Sequence, residues 1–163
     1  MKHTKERLNE YRSMRYKLIS KRPKTFVLAF ETGDEVIQGL KTFACEQQLS
    51  ASQFTAIGAF SKAVVGFFEL SRREYKRISI SRQVEVLSLL GNIALANDKP
   101  QLHAHVVLGK SDGSTSGGHL LEGHVRPTLE VILVESPKHL HRVRDPVTGL
   151  MLIHLAPVDE TSK

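Results

Sequence analysis

From residue 54 onward the sequence consists of short runs of β-forming residues separated by turn residues, and this pattern limits the possible folds most strongly. The runs span 54–60, 63–70, 75–80, 84–95, 102–109, 119–125 and 128–135. Short connections join neighbouring runs, which favours antiparallel hairpins over repeated strand–helix–strand units. The pattern therefore predicts an α+β protein with a central, largely antiparallel β-sheet.

A helical pattern precedes these runs. Residues 25–31 (TFVLAFE) alternate and predict a first strand, after which Thr32 and Glu35 have the spacing of a capping box at a helix start. The apolar residues that follow recur at helical spacing and predict a helix flanking the sheet. These residues are Val36, Ile37, Leu40, Phe43 and Ala44.

The 163-residue chain is long enough for one compact domain with its own core. We expect a basic N-terminal arm over residues 1–22, a domain over 23–157 and a short tail over 158–163. Within the domain, residues 136–143 (SPKHLHRV) suggest a helical turn and residues 151–157 (MLIHLAP) a last strand.

Cellular location follows from cysteine use and hydropathy. The single cysteine, Cys45, lies in the predicted helix and is expected to be an inert buried thiol in a reducing compartment. The sequence contains no run of about 18 apolar residues and has a charged N-terminus. We therefore expect a cytoplasmic protein that does not enter a membrane.

The positive charge is concentrated in the arm. Residues 1–22 hold eight Lys or Arg and two Glu, a balance of +6 that equals the formal net charge of the whole chain. Such an arm either contacts phosphates of DNA, with Lys17, Lys21 and Arg22 as candidates, or is a solvated segment that aids solubility. The sequence leaves both interpretations open.

The segment LHAHVVLG (102–109) carries the pattern with the clearest chemical meaning. Side chains alternate along a strand, so His103 and His105 share one face with Cα atoms about 6.6 Å apart at ~3.3 Å per residue. The glycine- and serine-rich residues 109–118 suit a reverse turn, and His119 opens the returning strand. In the register that aligns the faces, His119 lies beside His105.

Three imidazoles suit Zn²⁺ or another late divalent ion and leave one coordination position open for water or a ligand. Gly117 and Gly118 precede the third histidine, and without a Cβ they would let the backbone approach a bound ligand closely. The alternative is that the histidines are ordinary polar residues on a solvated face. Glu85 and Glu130 are candidates for a general base near the metal or for a hydrogen-bond partner of an imidazole N–H, although each also fits the polar face of a strand.

The segment HAHVVLGKSDGSTSGGHLLEGHVRPTLEVIL (103–133) resembles the plants-and-prokaryotes conserved (PPC) domain, with further similarity in KTFVLAFETGDEV, FTAIGAF and RQVEVLSLLGNIAL. The resemblance covers roughly residues 16–155. It implies a compact α+β domain that assembles as a homotrimer, and a metal held by His103, His105 and His119. Plant members carry an AT-hook for DNA binding, which this sequence lacks.

The resemblance leaves two main functions open, apart from a purely structural metal. One is a metal-binding, DNA-associated regulatory protein acting as a homotrimer. The other is a zinc enzyme acting on a small oxygen-rich substrate at an inter-subunit cleft, because the metal-site layout also resembles that of acetolactate decarboxylase.

Overall fold

The computed structural model describes residues 15–155, and of residues 15–21 it describes the backbone alone. The described chain forms one domain in which one helix packs against a nine-stranded sheet. The elements are β1 (Arg15–Lys21), β2 (Lys24–Glu31), α1 (Val36–Glu46), β3 (Ala51–Glu69), β4 (Glu74–Ile80), β5 (Val84–Ala96), β6 (Lys99–Gly109), β7 (Thr115–Glu135), β8 (His141–Arg144) and β9 (Met151–His154).

The sheet is almost entirely antiparallel, as expected. Its strand order is β1-β2-β7-β3-β5-β8-β9, with β4 paired to β3 and β6 paired to both β5 and β7. The pairing of β5 with β8 is parallel, which makes the sheet mixed. β6 pairs with both β5 and β7, and both of those strands also pair with β3. These four strands therefore form a closed ring of pairings, and the sheet curls on itself.

The core lies between the inner face of this sheet and α1. The helix buries the stripe that its sequence predicted, except that Ile37 is only partly buried. From the sheet, alternate residues of β6 point inward, so that Ala104, Val106 and Leu108 are buried while His105 and Val107 are exposed. The same alternation therefore builds the core and displays the histidines on the outer face.

The start of the helix differs from the prediction. Glu35 itself is the N-cap: its carboxylate accepts hydrogen bonds from the backbone N–H groups of Ile37 (3.1 Å) and Gln38 (2.7 Å). Thr32 takes no part in the cap, and its hydroxyl donates to the carbonyl of Pro127 at 3.2 Å. The capping-box assignment was wrong because Glu35 lies outside the helix and satisfies the first-turn donors alone.

Other boundaries also differ. The runs at 54–60 and 63–70 belong to the single strand β3, and those at 119–125 and 128–135 belong to β7, which continues past bulges that the sequence suggested were turns. The expected helical turn at 136–143 instead contains the start of β8. Cys45 is exposed, which corrects the expected buried thiol, because it lies off the apolar stripe of α1.

The expected basic arm overlaps the sheet. Residues 15–21 form β1, which pairs antiparallel with β2, so this part is a strand and not a solvated helix or tail. Residues 1–14 lie outside the described residues. Within residues 15–155, no helix combines the length and hydropathy that crossing a membrane requires.

Replacing the observed cap should destabilise the domain more than replacing the expected one. The Glu35 carboxylate also accepts the backbone N–H of Gly123 in β7 at 3.0 Å, so Glu35→Ala leaves donors of both the helix and the sheet without their acceptor. We expect a loss of about 1–2 kcal/mol in the free energy of unfolding. Thr32→Ala, at an exposed position, should cost roughly 0.5 kcal/mol or less. Urea unfolding of both variants measures this, and equal losses would contradict the assignment of the cap.

Candidate metal centre

The hairpin of β6 and β7 brings the three predicted histidines together. The strands pair so that His105 lies directly opposite His119 and Val106 opposite Gly118. Directly opposed residues of antiparallel strands project from the same face. His103 shares that face because it lies two residues before His105 on β6.

The imidazole nitrogens lie at distances that suit a shared ion. One nitrogen from each of His103, His105 and His119 lies within 4.8 Å of the other two. The Nε2 atoms of His103 and His105 are 3.1 Å apart. Two nitrogens bound to a tetrahedral zinc at ~2.0–2.1 Å would be roughly 3.3 Å apart, so small side-chain adjustments would satisfy the geometry. The residues present therefore fit a zinc ion.

The electrostatic environment keeps two imidazoles of this cluster, those of His103 and His119, neutral. Partial burial, together with the neighbouring His103 and His105, lowers the pKa of His119 to about 4. Burial also lowers the pKa of His103, with contributions from His105 and Arg142. A neutral imidazole keeps the lone pair that a metal requires, so no proton has to be displaced from these two residues at neutral pH.

Tyr75 of β4 packs against the cluster from one side. Its ring lies 4.7 Å from the His119 ring between centroids, and its hydroxyl lies 3.5 Å from His119 Nδ1. A hydroxyl near Nδ1 orients the imidazole with Nε2 directed away from it, as outer partners of metal-binding histidines commonly do. No sequence pattern indicated Tyr75, because β4 is distant from the histidines along the chain.

A cavity of about 170 Å³ opens beside His103 and His119. Its walls also include Tyr75, Gln101 and Arg142, together with residues 150–152 at the start of β9. The arginine and the glutamine were missed at the sequence level. Arg142 belongs to the segment 136–143 that suggested a helical turn, and only the three-dimensional packing of the β8–β9 hairpin brings it to the histidines.

Gly117 and Gly118 have a packing role in the structure. A Cβ on Gly117 would lie 2.6 Å from the carbonyl oxygen of Val106, and one on Gly118 would lie 2.7 Å from that of Gly66. Both contacts are shorter than backbone atoms tolerate, so the close approach of β7 to its neighbouring strands requires glycine. Their expected contact with a ligand stays a prediction.

The structure does not bring the two candidate carboxylates into the cluster. Glu85 pairs with Gly109, four residues beyond His105, or roughly 13 Å along the strand at ~3.3 Å per residue. Glu130 lines a separate groove on the sheet with Ile57 and Ile132. Neither residue lines the cavity beside the histidines.

The three candidate DNA-contacting residues lie along the β1–β2 hairpin. Lys17 pairs with Val27 and Lys21 with Lys24, while the exposed Arg22 lies in the turn that follows. The basic residues nearest the turn, Lys21, Arg22 and Lys24, are therefore close in space at one end of the sheet.

Solved structures with the same fold come from bacteria and archaea. A metal-containing protein from Archaeoglobus fulgidus is 31% identical with a TM-score of 0.75, covering 88% of this chain and 99% of its own. A PPC protein from Pyrococcus horikoshii is 29% identical with a TM-score of 0.76, and the match covers 87% of this chain and 96% of the Pyrococcus chain. A candidate DNA-binding protein from Bacteroides thetaiotaomicron is 26% identical with a TM-score of 0.82, and the match covers 86% of this chain and 96% of the Bacteroides chain.

Among curated proteins, the bifunctional protein GlmU of Synechococcus sp. (strain JA-3-3Ab) is 28% identical over 142 residues. That match covers 85% of this chain but only 22% of the relative's length. The model of the Plants and Prokaryotes Conserved domain, abbreviated PCC or PPC, matches residues 19–137. The match spans most of the chain and includes all three histidines, and the chain therefore belongs to the Plants and Prokaryotes Conserved domain family.

Proposed function

We propose that this chain is a metal-binding PPC-domain protein that acts as a homotrimer in DNA-associated regulation, with a divalent ion, zinc by preference, held by His103, His105 and His119. The convergence of three imidazole nitrogens within 4.8 Å carries the proposal. The metal-containing relative from Archaeoglobus fulgidus supports it. Nitrogen donors without a carboxylate favour zinc and other late divalent ions over magnesium or calcium.

Zinc binding is tested by metal analysis and by competition with a chromophoric chelator. We expect one zinc per chain. His105→Ala should weaken zinc binding at least about a hundredfold, because it removes one of three ligands. Because His105 is exposed, the variant should fold as the unmodified chain does.

His154→Ala is the matched control, since His154 is an exposed strand histidine outside the cluster. Its zinc affinity should stay within about twofold of the unmodified chain, a change of less than ~0.5 kcal/mol. Equal weakening by the two substitutions, or zinc binding unaffected by His105→Ala, would contradict the proposed site.

Self-association is supported by an exposed apolar patch on the outer face of the sheet. The patch consists of Ile57, Leu87, Leu90, Val107 and Ile132, which are between 43% and 61% exposed. Water-exposed apolar area of this kind on a folded chain commonly marks a protein interface. A second copy of this chain suits the patch, because the PPC resemblance implies a homotrimer.

The patch and the histidines share one face. Across neighbouring strands, Ile132 lies opposite Thr55, Thr55 opposite Leu90, and Leu90 opposite His105. A trimer formed through the patch would therefore place the histidine cluster at the rim of the subunit interface. This arrangement supports the expectation of a ligand at an inter-subunit cleft.

A charged residue in the patch should dissociate the trimer. Ile132→Lys places an ammonium group where a partner would bury apolar surface, so we expect a shift from trimer to monomer in sedimentation velocity. Val147→Lys, which changes an exposed apolar residue in the turn between β8 and β9, should leave the trimer intact. A trimeric Ile132→Lys variant, or a monomeric unmodified chain, would refute this interface.

DNA association is supported by the relatives and by charge. Structures from Bacteroides thetaiotaomicron and Ralstonia eutropha, 26% and 29% identical, belong to candidate DNA-binding proteins. Residues 1–22 carry the whole net positive charge of the chain, and Lys17, Lys21 and Arg22 are the proposed phosphate contacts. Contacts of this type do not read sequence and weaken steeply with salt.

The triple variant Lys17→Gln, Lys21→Gln and Arg22→Gln tests these contacts. Each phosphate contact contributes about −0.9 to the slope of log K against log salt for duplex DNA, so the slope should become shallower by roughly 2–3. The control variant Lys41→Gln, Lys99→Gln and Lys138→Gln removes the same charge from exposed positions elsewhere. Fluorescence anisotropy with duplex DNA measures both. Equal changes in slope would attribute binding to overall charge alone.

A zinc-dependent enzyme is the second candidate function. The cavity beside His103 and His119 favours it, because three protein ligands leave a coordination position that a substrate oxygen could occupy. Glu85 and Glu130, which do not line that cavity, give no support to this reading.

A further inference from the structure

The cavity next to the histidine cluster has the size of a small-molecule site. Its volume of about 170 Å³ is lined by Tyr75, Gln101, His103, His119, Arg142 and Met151, together with three leucines. Pockets for drug-sized ligands are usually ~300–1,000 Å³, so this one suits a ligand of only a few heavy atoms.

Arg142 places a buried positive charge in the wall of this cavity. The residue is only 6% exposed. One terminal nitrogen donates to the carbonyl oxygen of Met151 at 3.0 Å, and the other donates to the side-chain oxygen of Asn92. Both acceptors are uncharged. Within residues 22–155, whose side chains the structure describes, no carboxylate forms an ion pair with Arg142.

The third nitrogen of the guanidinium has no acceptor among residues 22–155. Arg142 Nε is buried and makes no hydrogen bond within the described part of the chain. A buried cation with an unsatisfied donor is costly unless an anion compensates it, and the guanidinium stays protonated at neutral pH. An anionic ligand in the cavity that Arg142 lines would supply the missing charge.

Gln101 adds a complementary group to the same wall. Its Oε1 atom is buried and likewise has no hydrogen-bond partner among the described residues. An amide oxygen accepts hydrogen bonds, so it requires a donor such as a hydroxyl. A guanidinium and an amide in one cavity wall favour a ligand that carries both an anionic group and a hydroxyl.

We propose that this cavity binds a small monoanionic hydroxycarboxylate, whose carboxylate pairs with Arg142 and whose hydroxyl donates to Gln101. Arg142 is the single cation in the described wall, so a monoanion balances it. The inference deepens the proposed metal site, because such a ligand would lie beside His103 and His119, but the contacts to Arg142 and Gln101 do not require the ion.

Lactate is a suitable probe, with two analogues that each remove one feature. Lactamide replaces the carboxylate with an uncharged amide, and propionate lacks the hydroxyl. Isothermal titration of the full chain, zinc-loaded and metal-free, should show lactate binding at least about tenfold more tightly than lactamide, as expected for a charge-assisted hydrogen bond. Lactate should also bind more tightly than propionate.

Two substitutions test whether Arg142 and Gln101 cause the preferences for lactate over lactamide and over propionate. Arg142→Gln should weaken lactate binding at least about tenfold and remove the preference for lactate over lactamide. Arg144→Gln is the matched control, because Arg144 is exposed on the same short strand, and its lactate affinity should stay within about twofold. Gln101→Leu should abolish the preference for lactate over propionate, and it tests the site independently if Arg142→Gln fails to fold.

The outcomes separate this inference from the metal proposal. Lactate binding to the metal-free chain that depends on Arg142 supports the cavity assignment even if zinc does not bind. Zinc binding without lactate binding overturns the cavity assignment and leaves the metal site standing. Equal affinity for lactate and lactamide, or displacement of lactate by equimolar inorganic phosphate, would also overturn the hydroxycarboxylate assignment.

Discussion

The pairing register of β6 with β7 is the constraint on which the rest of the site depends. In a strand, a slip by one residue moves every side chain to the opposite face. With His105 opposite His119, the histidines project outward while Ala104, Val106 and Leu108 enter the core. Burial of the apolar residues therefore holds the histidines in place, and the close packing at Gly117 and Gly118 prevents β7 from shifting.

The curled sheet has two outer features that share a face, the histidine cluster and the apolar patch. The row from Ile132 through Thr55 and Leu90 to His105 connects them across four strands. Assembly through the patch and ligand binding at the cluster would then affect each other, because a partner subunit would border the cluster. The β8–β9 hairpin supplies the remaining wall and places the buried Arg142 next to His103.

Local patterns in the sequence were sufficient to predict most of the strands, the buried stripe of α1 and the shared strand face of His103 and His105. They were insufficient where a residue acts through distant partners. Glu35 caps the helix alone because its carboxylate also bonds to β7, and no spacing rule reveals that contact. The bulges of β3 and β7 interrupt the alternation of side chains without ending the strands, so breaks in the pattern suggested turns that do not exist.

The residues of the site also divide into those that local sequence patterns predict and those that only the folded chain brings together. His103, His105 and His119 were predictable because two lie on one strand and the third follows a single reverse turn. Tyr75, Gln101 and Arg142 were not, because β4 and the β8–β9 hairpin reach the histidines through the folded sheet and not through sequence proximity. The carboxylates Glu85 and Glu130 had the right chemistry but lie on other parts of the strands.

The central claim is that His103, His105 and His119 bind one zinc ion together. X-ray absorption at the zinc edge of the loaded protein tests it most directly. We predict a first shell of nitrogen and oxygen at ~2.0–2.1 Å with the outer-shell scattering of three imidazoles, reduced to two in His105→Ala. A sulfur neighbour at ~2.3 Å, which would indicate the exposed Cys45, or scattering from fewer than two imidazoles in the unmodified chain, would contradict the account.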